Sequence, residues 1–366
     1  MKIKFISKLA IGISCALLAV CSTSVVFAAP KYKADVPSSI LTPDKVETRL
    51  GTLRFKDGAP DAKTVELVYD NLDFMRGVEA FLDDIPAASI YAIAQGFREA
   101  GMGQQSIGIF EDLMDARSIF LTPNSTTVYI SKVFADALPA EVVGTLAAIG
   151  IKKGQPFEPD ARMKAILEEA VAVGNATSRA IIFAQRDKRG FYFPDRQWKT
   201  SFIGGSSEFE DNGERLKDAR VLFHYYATVI TPAMAIPKVG TGSVYAYAER
   251  DAKGDYLDGG KTYSITLPAP IPVNNFWSFM VYDNQTRSML ETDQKAAGLD
   301  SNSPDIKPNA DGSYTVYFGP EAPKGKEGNW VQTMPGKGWN TLLRLYGPLE
   351  PWFEKTWKPG DFELVK

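Results

Sequence analysis

The sequence predicts an α+β protein, helical in its first half and β-rich in its second. Two patterns carry this. From residue 61 to 185 apolar side chains recur at helical spacing. After Gly242 short runs alternate between apolar and polar residues, separated by Gly, Pro, Asn and Asp turns. Helices and strands are also segregated along the chain, which argues against an alternating βαβ arrangement.

The first 28 residues have the form of a secretory leader. Lys2, Lys4 and Lys8 precede an apolar run, and Val26 and Ala28 supply the small-residue positions of a cleavage site. Processing is expected after Ala28, placing the protein in the periplasm or outside the cell. Both cysteines, Cys15 and Cys21, leave with that leader. The mature chain therefore relies on its core rather than on disulfides, despite an oxidising compartment. Losing three lysines makes it more acidic than the whole chain's net charge of −3. Nucleic acid is thereby disfavoured as a partner, and no later segment has the apolar length of a membrane span.

The elements follow in order. Residues 29–41 are an extended lead-in, and Thr42-Pro43-Asp44 has the form of a helix start. Residues 51–58 read as a strand entering a turn. Val65, Val68, Leu72, Met75, Val78 and Phe81 mark a long amphipathic helix, which Pro86 is expected to break before a second helix ending at Gly101. Pro123-Asn124 is a turn followed by a β-branched strand. Residues 139–151 and 161–185 are helical, as is the stretch around His224. Five strands close the chain: SVYAYAER, TYSITLP, FWSFMVYD, SYTVYFG and TLLRLYG.

Chemistry is limited by composition. His224 is the single histidine, and the mature chain has no cysteine. Zinc sites of His and Cys are excluded, as are cysteine nucleophiles. Any Ser-His-Asp triad would need His224, whose helical, aromatic surroundings favour simple packing. GPEAPKGKEG misses the P-loop spacing and puts Glu327 where Ser or Thr belongs. Asp251, Asp255 and Asp258, and Asp300, Asn302 and Asp305, lack calcium-loop spacing. No metal or cofactor is expected.

The five strands offer more. Each has one apolar face and one face of Tyr, Thr, Ser or Arg, nearly free of the Lys and Glu of an ordinary solvated sheet. Two readings stand: an exposed face of good strand formers, or a cleft lined with hydroxyls and rings. On the second, Arg344 and Tyr346, with Tyr282, Tyr317, Tyr245 and Tyr247, would bind or process a small polar or anionic molecule such as a carbohydrate derivative, with carboxylate chemistry left open by the composition. Arg287 and Lys337 would stand at its rim. Of the four tryptophans between residues 328 and 357, Trp339 is expected in the core, and Trp352 and Trp357 in a proline-bounded cap.

Specific phrases are recognisable. FEDLMDARSIFLTPNSTTVY resembles the domain of unknown function 1254. NNFWSFMVYDNQTRSML, YFGPEAPKGKEGNWVQTMPGKGW and LLRLYGPLEPWFEKTW resemble the domain of unknown function 1214. The resemblance implies an exported bacterial protein with an N-terminal β-sandwich and a C-terminal jelly-roll-like domain; the family has no settled catalytic residues to carry over. Relatives carry a long β-rich block after the phrase ending at Tyr129. Here a helical segment follows almost at once, so only a remnant of the first sandwich is expected. The implied organisation is a leader at 1–28, an incomplete N-terminal domain at 29–135, a helical connection at 136–235 and a β-domain at 236–366. Helices left without that block would expose apolar surface or self-associate. The alternative to ligand binding is a structural or assembly module of the cell envelope.

Overall fold

The computed structural model describes residues 43–365, apart from 57–58, 104–106, 119, 127–128, 132–139 and 228–229. The leader expected at 1–28 lies outside the described residues. The chain forms two compact units, Met1–Val65 and Glu66–Lys366. This division falls inside the stretch 29–135 read as one region.

In the first unit, β1 (Lys45–Thr48), β2 (Gly51–Lys56) and β3 (Ala59–Pro60) form an antiparallel sheet. The short helix expected after Pro43 is instead β1. Four residues gain more from a ladder with β2 than from a single isolated helical turn, whose nucleation is unfavourable. Helix α1 (Ala62–Glu99) holds the unit boundary in its first turn and runs straight through Pro86. Proline interrupts one backbone bond, but Ile85 and Pro86 are both buried, and that packing outweighs the loss. Gly101 ends the run in the left-handed region, at φ 89°.

The second unit continues with β4 (Gly108–Ile109), β5 (Ile130–Ser131), α2 (Ala140–Ala148) and α3 (Ala161–Phe183). Asp160 caps α3 by accepting from the Met163 amide. Helices α1 and α3 meet at glycines: a Cβ on Gly77 would lie 2.8 Å from that of Ala170, and one on Gly174 would lie 2.6 Å from the Phe81 ring. Then come β6 (Glu210–Asp211), β7 (Glu214–Arg215), α4 (Lys217–Tyr226) and the single turn α5 (Pro232–Ala235). Large side chains nevertheless stay exposed on the two long helices, among them Tyr69, Met75, Tyr91 and Val171. Among the described residues no helix is long and apolar enough to cross a membrane.

All five C-terminal strands occur where the alternation places them. They are β8 (Ser243–Ala248), β9 (Tyr263–Leu267), β10 (Trp277–Asp283), β12 (Tyr314–Gly319) and β14 (Trp339–Tyr346). With them go β11 (Gly298–Asp300), β13 (Trp330–Gln332), the turn α6 (Glu350–Phe353) and β15 (Glu363–Leu364). They form two four-stranded sheets, ordered β11-β10-β14-β8 and β13-β12-β9-β15. Pairing is antiparallel except between β12 and β13. The apolar faces meet in one core: Val244, Ala246, Phe279, Val281 and Leu343 of the first sheet against Ile265, Leu267, Val316 and Phe318 of the second. Trp339, Trp352 and Trp357 are buried in this core, so the tryptophan-rich close of the chain is packing. The other face of the first sheet is also covered. Tyr247, Met280, Tyr282 and Leu342 join a second core with Leu222, Phe223 and Tyr226 of α4 and Ile182 and Phe183 of α3. The helical stretch is therefore the outer layer of the β-domain. Its presence explains why that sheet face lacks Lys and Glu.

Candidate functional site

Arg344 lies in the middle of β14, in register with Ser278 on β10 and Tyr245 on β8. Period-two alternation turns it away from the sandwich core, into the layer between sheet and helices. It is only 3% exposed. Its Nη2 donates to the Tyr282 hydroxyl at 2.8 Å and to the Thr122 carbonyl at 3.2 Å. The guanidinium carbon sits 5.8 and 5.9 Å from the ring centres of Tyr245 and Tyr282. Its Nη1 is buried without a hydrogen-bond partner, as is the facing Ser278 hydroxyl. No carboxylate among the described residues forms an ion pair with it.

Thr122, Pro123, Asn124 and Thr126, with Tyr129, lie over this arginine. Thr122 adopts φ 43° and donates its amide to the Arg287 carbonyl at 2.8 Å. The Pro123 carbonyl accepts from Tyr282 at 2.6 Å. Asn124 folds the segment: its Oδ1 accepts from the Thr126 amide and hydroxyl, and its amide and Nδ2 donate to the Tyr129 hydroxyl. The Thr126 hydroxyl meets that of Tyr346 at 3.1 Å, and the Tyr346 ring stacks on Phe276 with centres 4.0 Å apart.

The electrostatics are those of a lone buried cation among neutral phenols. Burial pushes the Tyr282 hydroxyl well above the usual phenol range, although Arg344 pulls the other way. Burial likewise raises Tyr245. For Arg344 burial alone would lower the pKa. The neighbouring phenols of Tyr282, Tyr346 and Tyr129 outweigh it and hold the value above the usual guanidinium range. The guanidinium keeps its charge with no counter-ion among the described residues. A buried group of this kind is costly unless paired, and its free Nη1 offers one more donor.

Of the side chains read from the sequence, Arg344, Tyr282, Tyr245 and Tyr346 converge here. Tyr247 shares the face but belongs to a neighbouring cluster. Its ring packs 5.1 Å from that of Tyr226, and its hydroxyl has no partner. Nearby, Lys199 and Glu249 form a fully buried ion pair. Lys337 lies at the far end of β10, bonded to Asp283 at 2.7 Å. Arg287 lies with its guanidinium 4.2 Å from the Tyr225 ring centre. Tyr317 stands on β12 in the other sheet, with the Lys326 ammonium 6.0 Å from its ring centre. The residues not read from the sequence as part of a site are Ser278 and the covering residues Thr122, Pro123, Asn124, Thr126 and Tyr129. A signal existed in the latter: TPNST is dense in side chains that bond their own backbone. His224 is packed against Phe209 and Phe223, and its Nδ1 lies 3.0 Å from the Arg220 carbonyl.

Residues 242–350, from β8 to the end of β14, match the family described as a protein of unknown function (DUF1214). The expected C-terminal resemblance is borne out over that stretch. No curated protein matches the chain. Among solved structures it is similar to the VPA0106 protein from Vibrio parahaemolyticus, at 19% identity and a TM-score of 0.33, over 62% of this chain and 51% of that one. It is also similar to an uncharacterized protein from Burkholderia cenocepacia, at 22% identity and a TM-score of 0.24, over 37% and 34% of the two chains. The chain thus spans about half the length of the first and about a third of the second.

Proposed function

We propose that this is an exported protein that holds a small anionic, hydroxyl-bearing molecule, such as a sugar acid, at Arg344. The observation that carries the reading is the buried guanidinium with a free Nη1 and no carboxylate partner among the described residues. An anion there would supply the missing charge, and the hydroxyls of Ser278, Tyr346 and Thr126 are within the same layer to meet ligand hydroxyls. The leader at 1–28 supports export, and FEDLMDARSIFLTPNSTTVY supports an incomplete domain of unknown function 1254 as the source of the covering segment. The reading is of binding rather than of a reaction.

Calorimetric titration with glucuronate, against glucose and acetate as controls, tests it. Glucuronate should bind best, and Arg344→Met should abolish its binding. A wild-type protein that takes up none of the three, or a variant that still binds glucuronate, overturns the reading. Export is tested separately: the N-terminal residue of the protein recovered from outside the cytoplasm should be Ala29. A second reading, an assembly module of the cell envelope, draws on the exposed Tyr69, Met75 and Val171. Concentration-dependent self-association in analytical ultracentrifugation would favour it.

A further inference from the structure

A concave site lies in the larger unit, apart from Arg344. It is a cleft of about 510 Å³ between the C-terminal half of α1 and the residues around Phe120 and Tyr225. That volume lies within the range of small-molecule sites, about 300–1,000 Å³. Its walls are apolar. Phe97, Phe110 and Phe120 form a triangle with ring centres 5.8 to 6.1 Å apart, and Ile85 and Ile93 continue the wall along α1. The polar exceptions are few. The Ser89 hydroxyl oxygen is sealed from solvent without a partner. His224 also lines the cleft, and burial lowers its pKa, so it is neutral at pH 7. Arg287 is the one cationic side chain of the lining among the described residues. Its Nε donates to the Tyr225 carbonyl at 3.1 Å and its Nη1 to the Gln285 carbonyl, and it forms no ion pair among the described residues. The nearest carboxylate on its own loop, Asp283, is already bonded to Lys337. Arg179, bonded to the Asn284 carbonyl at 3.0 Å, adds a second positive charge near Tyr225.

We propose that this cleft binds a single-chain fatty-acid anion, its acyl chain along α1 and its carboxylate at Arg287. An apolar trough explains affinity for the chain, and an unpaired guanidinium at its edge selects the anionic head over a neutral one. Glucuronate would be rejected here for want of apolar surface, so this proposal stands or falls independently of the Arg344 site.

The test titrates octanoate, decanoate and dodecanoate, below their micellar concentrations, by displacement of a fluorescent anilinonaphthalene dye. Affinity should rise by about fourfold per added methylene, and dodecanol should bind at least tenfold more weakly than dodecanoate. Arg287→Met should weaken dodecanoate by about ten- to a hundredfold and leave dodecanol unchanged. Because Arg287 also bonds two carbonyls, a second variant is needed. Gly96 lines the cleft, and a Cβ added there meets nothing within 4 Å. Gly96→Leu should therefore preserve the helix, fill the trough and abolish binding of every chain length. Unchanged binding in Gly96→Leu, equal binding of dodecanol and dodecanoate, or affinity independent of chain length would each overturn the proposal. So would association with phosphatidylglycerol vesicles but not with free dodecanoate, which would assign the patch to a membrane surface.

Discussion

Replacing Arg344 by methionine separates a ligand-holding guanidinium from a structural one, because the two roles predict opposite balances of stability and binding. The substitution removes two hydrogen bonds, from Nη2 to Tyr282 and to the Thr122 carbonyl. Bonds from a charged donor are each worth about 1.5–3 kcal/mol net. Tyr282 keeps its bond to the Pro123 carbonyl, so the Thr122 carbonyl is the group of these two that loses its partner. Against this stands the relief of removing a buried cation that has no counter-ion among the described residues, worth several kcal/mol. Methionine also fills the space of the arginine stem. The terms nearly cancel, and the ligand-free variant should lie within about 2 kcal/mol of wild type in urea unfolding. Were Arg344 instead half of a buried ion pair, its removal should cost about 3–5 kcal/mol by leaving the partner charge unpaired. The two measurements belong on one preparation: urea unfolding without ligand, and calorimetric titration with glucuronate. A loss of more than about 3 kcal/mol together with unchanged glucuronate binding would refute the reasoning.

The remaining predictions concern other parts of the fold. Glu249→Gln leaves the buried Lys199 ammonium without its carboxylate and should destabilise the protein by about 3–5 kcal/mol; Lys199→Met/Glu249→Gln together should recover much of that, measured as a double-mutant cycle. Burial lowers the His224 pKa below its unfolded value. Its contribution to stability is therefore present above about pH 6.5 and lost as pH falls through the folded pKa. As the chain's single histidine its ring proton resonances should titrate below pH 6.5 when folded and near 6.5 in urea, and a folded value above 6.5 would contradict the packing described. A Cβ on Gly259 would lie 2.1 Å from the Met334 carbonyl oxygen, so Gly259→Ala should cost about 1–3 kcal/mol through backbone displacement, read as a lowered melting temperature.

The strands were legible because each alternates strictly, and alternation survives whatever packs on the sheet. Trp277, Phe279 and Val281 therefore sit in the sandwich core, while Ser278, Met280 and Tyr282 face the other way. What alternation cannot tell is which sheet a strand joins. Tyr317 shares the pattern of Tyr282, yet β12 belongs to the second sheet, and its polar face points to the opposite outside of the sandwich. Pro86 misled for a related reason. A local rule says that proline ends a helix, but burial of Ile85 and Pro86 is a tertiary contribution that no local rule contains. Arg344 was legible as an arginine among rings. The group above it was not, because Thr122 lies 222 residues away.

That distant segment unites the two candidate sites. Phe120 and Leu121 line the cleft, and the next residue places its amide on the Arg287 carbonyl and its own carbonyl on Arg344. Further along, Tyr129 returns its ring to Phe110, 6.5 Å between centres, while Asn124 binds its hydroxyl. Thr122 holds a left-handed conformation that a β-branched side chain adopts rarely, at about 1–3 kcal/mol of strain. Such a residue keeps its geometry only while its surroundings enforce it, and here Arg287 and Arg344 grip its two ends. Under the two proposals above, a ligand entering at Arg344 would compete for the bond to the Thr122 carbonyl, and a carboxylate arriving at Arg287 would pull on the loop whose carbonyl holds the Thr122 amide. Occupancy of either site would therefore act on the same strained residue.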